Sequence, residues 1–280
     1  MNAIATNEAS EASALLETAR LAASAAGELV REKWSGPRTL RKKGYRDWVT
    51  DADFAAQALI ASLIRERHPT HGFLAEEESP DLPSSGDVLW IIDPIDGTTN
   101  YSKRQPNFCI SIAAVSGARV RAGVILDPLR NELFSAANGL PAQLNRRRIQ
   151  VSNASNLVET VIAFDWTHVP ALRQSTLDSL GKLSPEVHSL RCIGSAALAL
   201  AWVAAGRLDA YWNWHLNAWD TAAGALIVEQ AGGRCATIDG NDLPVTTGGS
   251  SCLISNGILH ESLRNLVAAP GHPYNDFENR

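Results

Sequence analysis

The sequence lacks long apolar runs and paired cysteines, which define several common classes of protein. No segment approaches the roughly 18 consecutive apolar residues of a membrane span, so we expect no transmembrane helix. It has only four cysteines and no CxxC pair, which argues against a zinc ribbon or a thioredoxin-like site. We therefore expect buried, reduced thiols in a cytoplasmic protein. The cysteines are Cys109, Cys192, Cys235 and Cys252.

An excess of basic residues is also missing. The 25 lysines and arginines are outnumbered by 30 aspartates and glutamates, for a formal net charge of -5. This balance argues against nucleic acid as a partner. The N-terminal stretch MNAIATNEASEAS carries acids and no basic region, so we expect no secretory signal. We find no internal repeat.

What is present is an ordinary globular composition, with 45% hydrophobic and 20% charged residues. A chain of 280 residues can bury a substantial core as one large domain or two modest ones. A flexible tail is predicted over 269–280.

Hydrophobic periodicity predicts helices and strands mixed without strict βαβ alternation, which is typical of layered α and β structure. Residues 35–48 form a basic, turn-rich connector, and 108–139 is predicted as an antiparallel meander. The predicted helices cover 8–34, 50–68, 194–206, 219–233 and 261–268. The other predicted strands cover 88–92, 158–166, 186–192, 207–212, 234–238 and 251–256.

The stretch VLWIIDPIDGTTNY places two carboxylates, Asp93 and Asp96, directly after an apolar strand. Pro94 stiffens the turn, and Gly97 allows the backbone to bend where a side chain would obstruct. Amide groups of the following GTTN segment suit a phosphate oxygen. Hard cations such as Mg²⁺ prefer oxygen ligands and substrate phosphate. The stretch therefore favours a metal and phosphate site, with a solvated Asp-Pro turn as the structural alternative.

Other acids stand at the ends of predicted elements. Asp51 and Asp53 begin one helix and Asp220 begins another, where helix capping is the ordinary explanation. Three consecutive glutamates, 76–78, precede the apolar strand, and such a run is most often a solvated loop. Because element termini can converge in space, these acids are candidates for one shared site.

The segment WIIDPIDGTTNY, followed downstream by AWDTAAGALIVEQAGG, resembles the two signature motifs of the inositol monophosphatase family. Three further segments, DWVTDAD, FLAEEES and LNRRRIQVS, are similar to other family segments. The resemblance covers about residues 10–267. It implies an αβαβα layered sandwich of the inositol monophosphatase and fructose-1,6-bisphosphatase type. It also implies one domain over 1–280, with an N-terminal α+β half over about 8–150 and a C-terminal α/β half over about 151–268.

The resemblance also implies a role for each matching position. Gly97 and Thr98 would hold phosphate through backbone amides. Asp53 and Thr98 would orient and deprotonate the attacking water, with Glu76 as a further catalytic residue. Lys42 matches a basic residue near the site, and Lys43 competes for that assignment. The implied ligands of two to three Mg²⁺ ions are Glu76, with Glu77 as the alternative, Asp93, the Ile95 carbonyl, Asp96 and Asp220.

The implied substrate contacts are Asp96, Ser195, Ala196, Asn213 and Asp220. Inositol-specific members commonly carry a glutamate where this chain has Asn213. An amide carries no charge and can donate as well as accept hydrogen bonds, so we expect an altered leaving-group preference. Helix capping is an alternative role for Ser195.

Three side chains surround Asn213 in the sequence. Trp212 and Trp214 are interpreted as packing residues, with stacking on a substrate as the alternative. His215 is interpreted as a structural or rim residue, because the implied chemistry needs no histidine.

The function implied is Mg²⁺-dependent hydrolysis of a small phosphate monoester, such as inositol 1-phosphate, to an alcohol and inorganic phosphate. Histidinol phosphate, fructose 1,6-bisphosphate and 3'-phosphonucleotides are alternative substrates on the same scaffold. A non-catalytic regulatory or binding protein is the alternative of a different class. The resemblance further implies a homodimer and inhibition by lithium.

Overall fold

The computed structural model describes residues 2–37, 39–44, 47–79 and 82–268. The predicted flexible tail, 269–280, lies outside these residues.

Two long helices open the fold. Helix α1, Asn2–Ser35, buries apolar side chains at spacings of three and four residues, as an amphipathic helix requires. Between the helices lies a hairpin of strands β1, Leu40–Gly44, and β2, Asp47–Thr50. The sequence predicted only a connector here. Strand β1 is exposed along its whole length, so it lacks the alternation of apolar and polar residues that identifies a strand.

Helix α2, Asp51–Arg67, begins and ends at the predicted signals. Thr50 caps its N-terminus, and Asp53 completes a capping box by accepting the Thr50 backbone amide over 2.9 Å. The helix stops before Pro69, which restricts the residue in front of it.

A seven-stranded sheet forms the N-terminal half, with β3 and β4 parallel and all later neighbours antiparallel. The meander predicted over 108–139 is therefore confirmed. In spatial order the strands are β3 Gly72–Ala75, β4 Leu89–Asp96, β5 Cys109–Ser116, β6 Arg119–Asp127, β7 Glu132–Ala137, β8 Gln143–Leu144 and β9 Arg147–Arg148.

A five-stranded sheet forms the C-terminal half, in the order β11-β10-β12-β14-β13. Its strands are β10 Val161–Phe164, β11 Ser189–Cys192, β12 Ala210–Leu216, β13 Arg234–Ala236 and β14 Ser250–Ser255. Strand β12 runs beyond the predicted end at Trp212, because it lies between β10 and β14 and pairs with β14 as far as Leu216.

Within the described part of the chain, five further α-helices complete the fold: α3 Thr98–Ser102, α4 Arg173–Leu183, α5 Ala196–Ala204, α6 Ala218–Gln230 and α7 His260–Val267. Helix α4 was not predicted from the sequence.

The elements stack as five layers. Helices α1 and α2 cover one face of the seven-stranded sheet, and α5 and α6 lie between the two sheets. Helices α4 and α7 cover the outer face of the five-stranded sheet. The predicted αβαβα sandwich is therefore confirmed. Three apolar clusters fill the interfaces, and β4 contributes to two of them because Trp90 and Ile91 point to opposite faces.

Gly123 of β6 allows α6 to pack closely on the larger sheet. A Cβ atom at this position would lie 2.9 Å from the Ala223 carbonyl oxygen of α6. At the same interface the Ser111 hydroxyl of β5 donates to the Trp219 carbonyl over 3.1 Å. Because Ser111 is paired with Asp93, this contact brings the start of α6 to the end of β4.

All four cysteines carry free thiols. Cys109 and Cys252 are buried and Cys235 is half-buried, but Cys192 is exposed. The expectation of burial is wrong for Cys192, because β11 is an edge strand whose last residues face outward.

Trp212 and Trp214 pack in the cluster beneath α4 and α7, which confirms their interpretation as packing residues. Among the described helices, none combines the length and apolar character needed to cross a membrane.

Candidate active site

Three carboxylates converge where β4 ends and α6 begins. Asp93, Asp96 and Asp220 each offer an oxygen, and these oxygens lie within 4.8 Å of one another. Asp93 is 2% exposed and Asp96 is 7% exposed. Neither is the solvated turn residue that the sequence left open as an alternative.

The end of β4 is irregular, and this irregularity turns both aspartates toward α6. The pairing with β5 shifts register between Asp93 and Asp96, which is the signature of a bulge. Asp93 Oδ1 accepts the Ile95 amide over 3.0 Å, closing a local turn around Pro94. The sequence predicted that the strand ends before Asp93, whereas it continues through Asp96.

Gly97 follows in the left-handed region, with φ of +98°. A Cβ atom here would lie 2.9 Å from the Gly194 carbonyl oxygen and 3.0 Å from the Asn107 carbonyl oxygen. Only glycine meets both conditions without strain. The backbone therefore turns sharply into α3 directly beside Asp96.

The Asp96 carboxylate is held by the N-terminus of α5. Its Oδ2 accepts the Ser195 hydroxyl over 2.6 Å and the Ala197 amide over 2.7 Å. The Cys109 thiol lies 3.6 Å from the same oxygen. Helix N-termini favour anions, so α5 fixes the orientation of this side chain.

Asp220 is placed by the first turn of α6. Its Oδ2 accepts the Asn217 amide over 2.7 Å, and Asn217 completes a capping box with it. Asp220 therefore caps α6, as the sequence allowed, and is at the same time one of the three clustered carboxylates.

Burial raises the pKa of Asp93, Asp96 and Asp220. For Asp93, the neighbouring charges of Glu76, Asp96 and Asp220 raise the pKa further. Carboxylates this close and this shielded from water repel one another unless a cation lies among them. Three oxygen donors of this kind fit a hard divalent cation.

Glu76 lies beside this group but outside the 4.8 Å cluster. Burial raises the pKa of Glu76 to about 7, partly opposed by Lys43. Lys43 Nζ lies 3.2 Å from Glu76 Oε1 and 2.6 Å from Glu77 Oε1. Of the two lysines that compete for the basic position, Lys43 is therefore the one that the structure places against the glutamates.

Gln57 fixes the loop that carries the two glutamates. Its side-chain amide donates to the Glu77 carbonyl over 2.8 Å and accepts the Glu77 amide over 3.1 Å. Because Gln57 lies one helical turn after Asp53, α2 positions this loop and Asp53 together.

Asp53 faces the other side of the site. Its Oδ1 accepts the Thr98 hydroxyl over 3.1 Å, and the same hydroxyl lies 3.1 Å from the Ile95 carbonyl oxygen. Burial raises the pKa of Asp53 to about 6, although hydrogen bonds from Thr50 oppose this shift.

The predicted substrate residues Ser195, Ala196 and Asn213 line the same cavity, of about 950 Å³. Ser195 stands at the N-cap position of α5, but its hydroxyl donates to Asp96. Asn213 donates to the Tyr211 hydroxyl over 3.2 Å and accepts the His215 amide over 3.1 Å. The Asn213 amide is thus tied to the cavity wall.

Several cavity residues were missed by sequence reasoning. Asp165 at the end of β10 is 9% exposed, and burial raises its pKa to about 7. The signal that could have found it is an acid directly after a strand, as for Asp93. Other missed lining residues are Trp48, Phe54, Trp166, His168, Cys192 and Tyr211.

Comparison with known proteins defines the class to which this protein belongs. The model of the inositol monophosphatase family matches residues 11–270. The chain therefore belongs to the inositol monophosphatase family.

Individual relatives carry two kinds of name. Nus factor SuhB of Escherichia coli (strain K12) is 40% identical over 237 residues, 84% of this chain and 89% of the relative. Inositol-1-monophosphatase of a Synechocystis species is 39% identical over 259 residues, 91% of this chain and 88% of the relative. The solved structure of extragenic suppressor protein suhB from Bartonella henselae superposes with a TM-score of 0.86 at 34% identity, covering 91% of this chain and 98% of that one.

Proposed function

We propose that this protein is an Mg²⁺-dependent phosphatase, which hydrolyses a small phosphate monoester to an alcohol and inorganic phosphate. The observation that carries the proposal is the group of Asp93, Asp96 and Asp220, two buried and one half-buried, whose oxygens lie within 4.8 Å. Like charges held this close destabilise a fold unless a cation neutralises them. Family membership supports phosphatase chemistry at this site.

The proposed ligands are these three aspartates, Glu76 and the carbonyl oxygen of Ile95. All are oxygen donors, as Mg²⁺ prefers, and we propose two to three ions. When bound there, Mg²⁺ would supply neutralisation of the phosphate charge, a lower pKa for the attacking water and stabilisation of the departing alkoxide.

The proposed roles of the protein's own groups follow from their hydrogen bonds. Thr98 donates to Asp53, which leaves a lone pair of the Thr98 oxygen free to accept a hydrogen bond from water and orient that water for attack. Asp53, with a pKa raised to about 6 by burial, is a suitable acceptor for the proton that this water loses. The backbone amides of Gly97 and Thr98 would hold the phosphate oxygens.

The leaving-group alcohol is proposed to lie against Ala196 and Asn213. The Asn213 amide already makes hydrogen bonds to Tyr211 and His215. It therefore offers the hydroxyl groups of a polyol fewer free hydrogen-bonding positions than a free carboxylate would. Inositol 1-phosphate is our first candidate, and histidinol phosphate is the closest alternative. Fructose 1,6-bisphosphate and a 3'-phosphonucleotide complete the substrate panel.

The test is phosphate release from these four substrates, with added Mg²⁺ and with EDTA. We expect phosphate release that requires Mg²⁺. We also expect kcat/KM to differ among the four substrates. Absence of turnover on the whole panel, with folded protein and saturating Mg²⁺, would overturn the proposal. Comparing kcat/KM for inositol 1-phosphate and histidinol phosphate decides between the two leading substrates.

A non-catalytic regulatory function is the second candidate, because several similar relatives carry the name of a factor. The retained acid group favours catalysis, since a protein that acts only by binding needs no clustered carboxylates of this kind. Sequence resemblance also leads us to propose a cytoplasmic homodimer inhibited by lithium. Light scattering and a lithium titration of phosphate release test the last two properties.

A further inference from the structure

Asp165 connects the two halves of the cavity without belonging to the acid group. Its Oδ1 accepts the backbone amide of Gly194 over 2.5 Å, and its Oδ2 accepts the Tyr211 hydroxyl over 3.2 Å. A carboxylate bound to a backbone amide forms a strong, charge-assisted hydrogen bond. Asp165 thus anchors the turn before α5 to the five-stranded sheet.

The same turn is held from the opposite side by Asn100 of α3. The Asn100 side-chain amide donates to the carbonyl oxygens of Ile193, over 2.9 Å, and Gly194, over 3.2 Å. Gly194 has φ of +75°, and a Cβ atom there would lie 2.8 Å from Asn100 Nδ2. The turn is therefore fixed by one residue from each half of the molecule.

The turn leads directly to the groups that hold Asp96. Ser195 and the Ala197 amide, the next donors along the chain, both reach Asp96 Oδ2. A displacement of Gly194 would carry these donors with it. The orientation of the Asp96 carboxylate consequently depends on the contact between Asp165 and Gly194.

We propose that Asp165 is a positioning residue of the metal site, which acts through the Gly194 turn to hold Asp96 in its ligand orientation. The inference rests on the proposed function in assigning Asp96 to the cation. Residues that orient ligands from outside typically change metal affinity by about 10- to 100-fold. Asp165 lies outside the group of Asp93, Asp96 and Asp220 and reaches Asp96 only through the Gly194 turn, so its effect should appear first in metal binding.

The experiment measures Mn²⁺ affinity of the full chain by calorimetry, without substrate. Mn²⁺ takes the same oxygen ligands as Mg²⁺ and serves as the probe. Asp165→Ala removes the acceptor of the Gly194 amide and is expected to weaken Mn²⁺ binding about 10- to 100-fold. Asp165→Asn keeps an amide oxygen for that donor and should rescue affinity to within about 3-fold of the parent protein.

Asp209 provides a matched control. It is also 9% exposed, lies just before β12 of the same sheet, and accepts the Val161 amide over 2.7 Å and the Ser152 hydroxyl over 2.5 Å. Asp209→Ala should lower thermal stability in the same way as Asp165→Ala but leave Mn²⁺ affinity unchanged. The comparison separates positioning of the metal site from general loss of sheet stability.

Parent-like Mn²⁺ affinity in Asp165→Ala, or an equal loss in Asp209→Ala, would overturn the inference. If Asp165→Ala does not fold, Asn100→Ala loosens the same turn from the other side. It must then weaken Mn²⁺ binding, or the inference fails.

The outcome also separates this inference from the proposed function. Parent protein that binds Mn²⁺ but releases no phosphate overturns the function alone. Normal turnover together with unaltered binding in Asp165→Ala overturns the positioning role alone. A parent protein that binds no Mn²⁺ overturns both.

Discussion

The Thr98 hydroxyl donates to Oδ1 of Asp53 across 3.1 Å, joining residues that lie 45 positions apart. Asp53 stands in the first turn of α2 and Thr98 in the first turn of α3. The capping box fixes Asp53 from one side, because Thr50 donates to its other oxygen. The pair is thus rigid before any substrate arrives.

Removal of the Thr98 hydroxyl should impair catalysis more than binding. Thr98→Val keeps the shape of the side chain but cannot orient water or contact Asp53. We expect kcat to fall about 10²- to 10⁴-fold, the usual contribution of a positioned proton-transfer group, with a smaller change in KM. Steady-state phosphate release measures both. Thr99→Val, at the exposed neighbouring hydroxyl, is the control, and an equal loss there would contradict the assignment.

Asp93→Asn should separate metal binding from folding. We expect phosphate release to fall by more than about 100-fold, beyond the effect of losing an outer-shell partner. In EDTA the variant should be more stable than the parent, because one of three mutually repelling carboxylates is gone. With Mg²⁺ at about 100 times its Kd the parent should gain about 2.7 kcal/mol.

Thermal unfolding with EDTA and with Mg²⁺ checks the stability expected for Asp93→Asn. A variant that Mg²⁺ stabilises as much as the parent would show that Asp93 is not a ligand.

Gly97→Ala should be more destabilising than an alanine at another glycine of positive φ. Gly139 has φ of +79°, and a Cβ atom there would meet nothing within 4 Å. Gly139→Ala should therefore cost about 1–2 kcal/mol for the left-handed backbone alone. Gly97→Ala adds the collision with two carbonyl oxygens, for about 1–3 kcal/mol more. Urea unfolding measures the difference, and equal losses would contradict the collision.

His260 should make the fold sensitive to acid. Its side chain is fully buried, with Nδ1 2.9 Å from the Ser255 hydroxyl oxygen. Burial and the charge of Arg234, with a smaller effect of Arg264 and against the opposing charge of Glu261, lower its pKa from 6.5 to about 4. Between these values the unfolded chain binds more protons, so the free energy of unfolding decreases as pH falls from about 6.5 to about 4.

His260→Gln should flatten this dependence, as measured by urea unfolding across that pH range. His188→Gln, at an exposed histidine, should leave the slope unchanged. A slope in His260→Gln equal to that of the parent would mean that other groups cause the acid sensitivity.

The local sequence pattern was sufficient to predict a helix or strand wherever that element carries its own start and stop signals. Helix α2 has its cap at Thr50 and its stop before Pro69, and both were predicted. The hairpin β1–β2 and the extension of β12 beyond Trp212 were not predicted, because both depend on pairing with another strand. The hairpin is defined by the pairing of the exposed strand β1 with β2, and β12 is extended by a partner far along the chain.

The family, the layered fold and the set of acids could all be read from the chain, because they follow from local motifs and their order. Which side chains contact one another could not be read from the chain. Packing brought Asp93, Asp96 and Asp220 together, selected Lys43 over Lys42 and placed Asp165 against Gly194. Those contacts depend on how α5, α6 and the hairpin pack against the ends of strands, and packing between distant segments leaves no local signal in the chain.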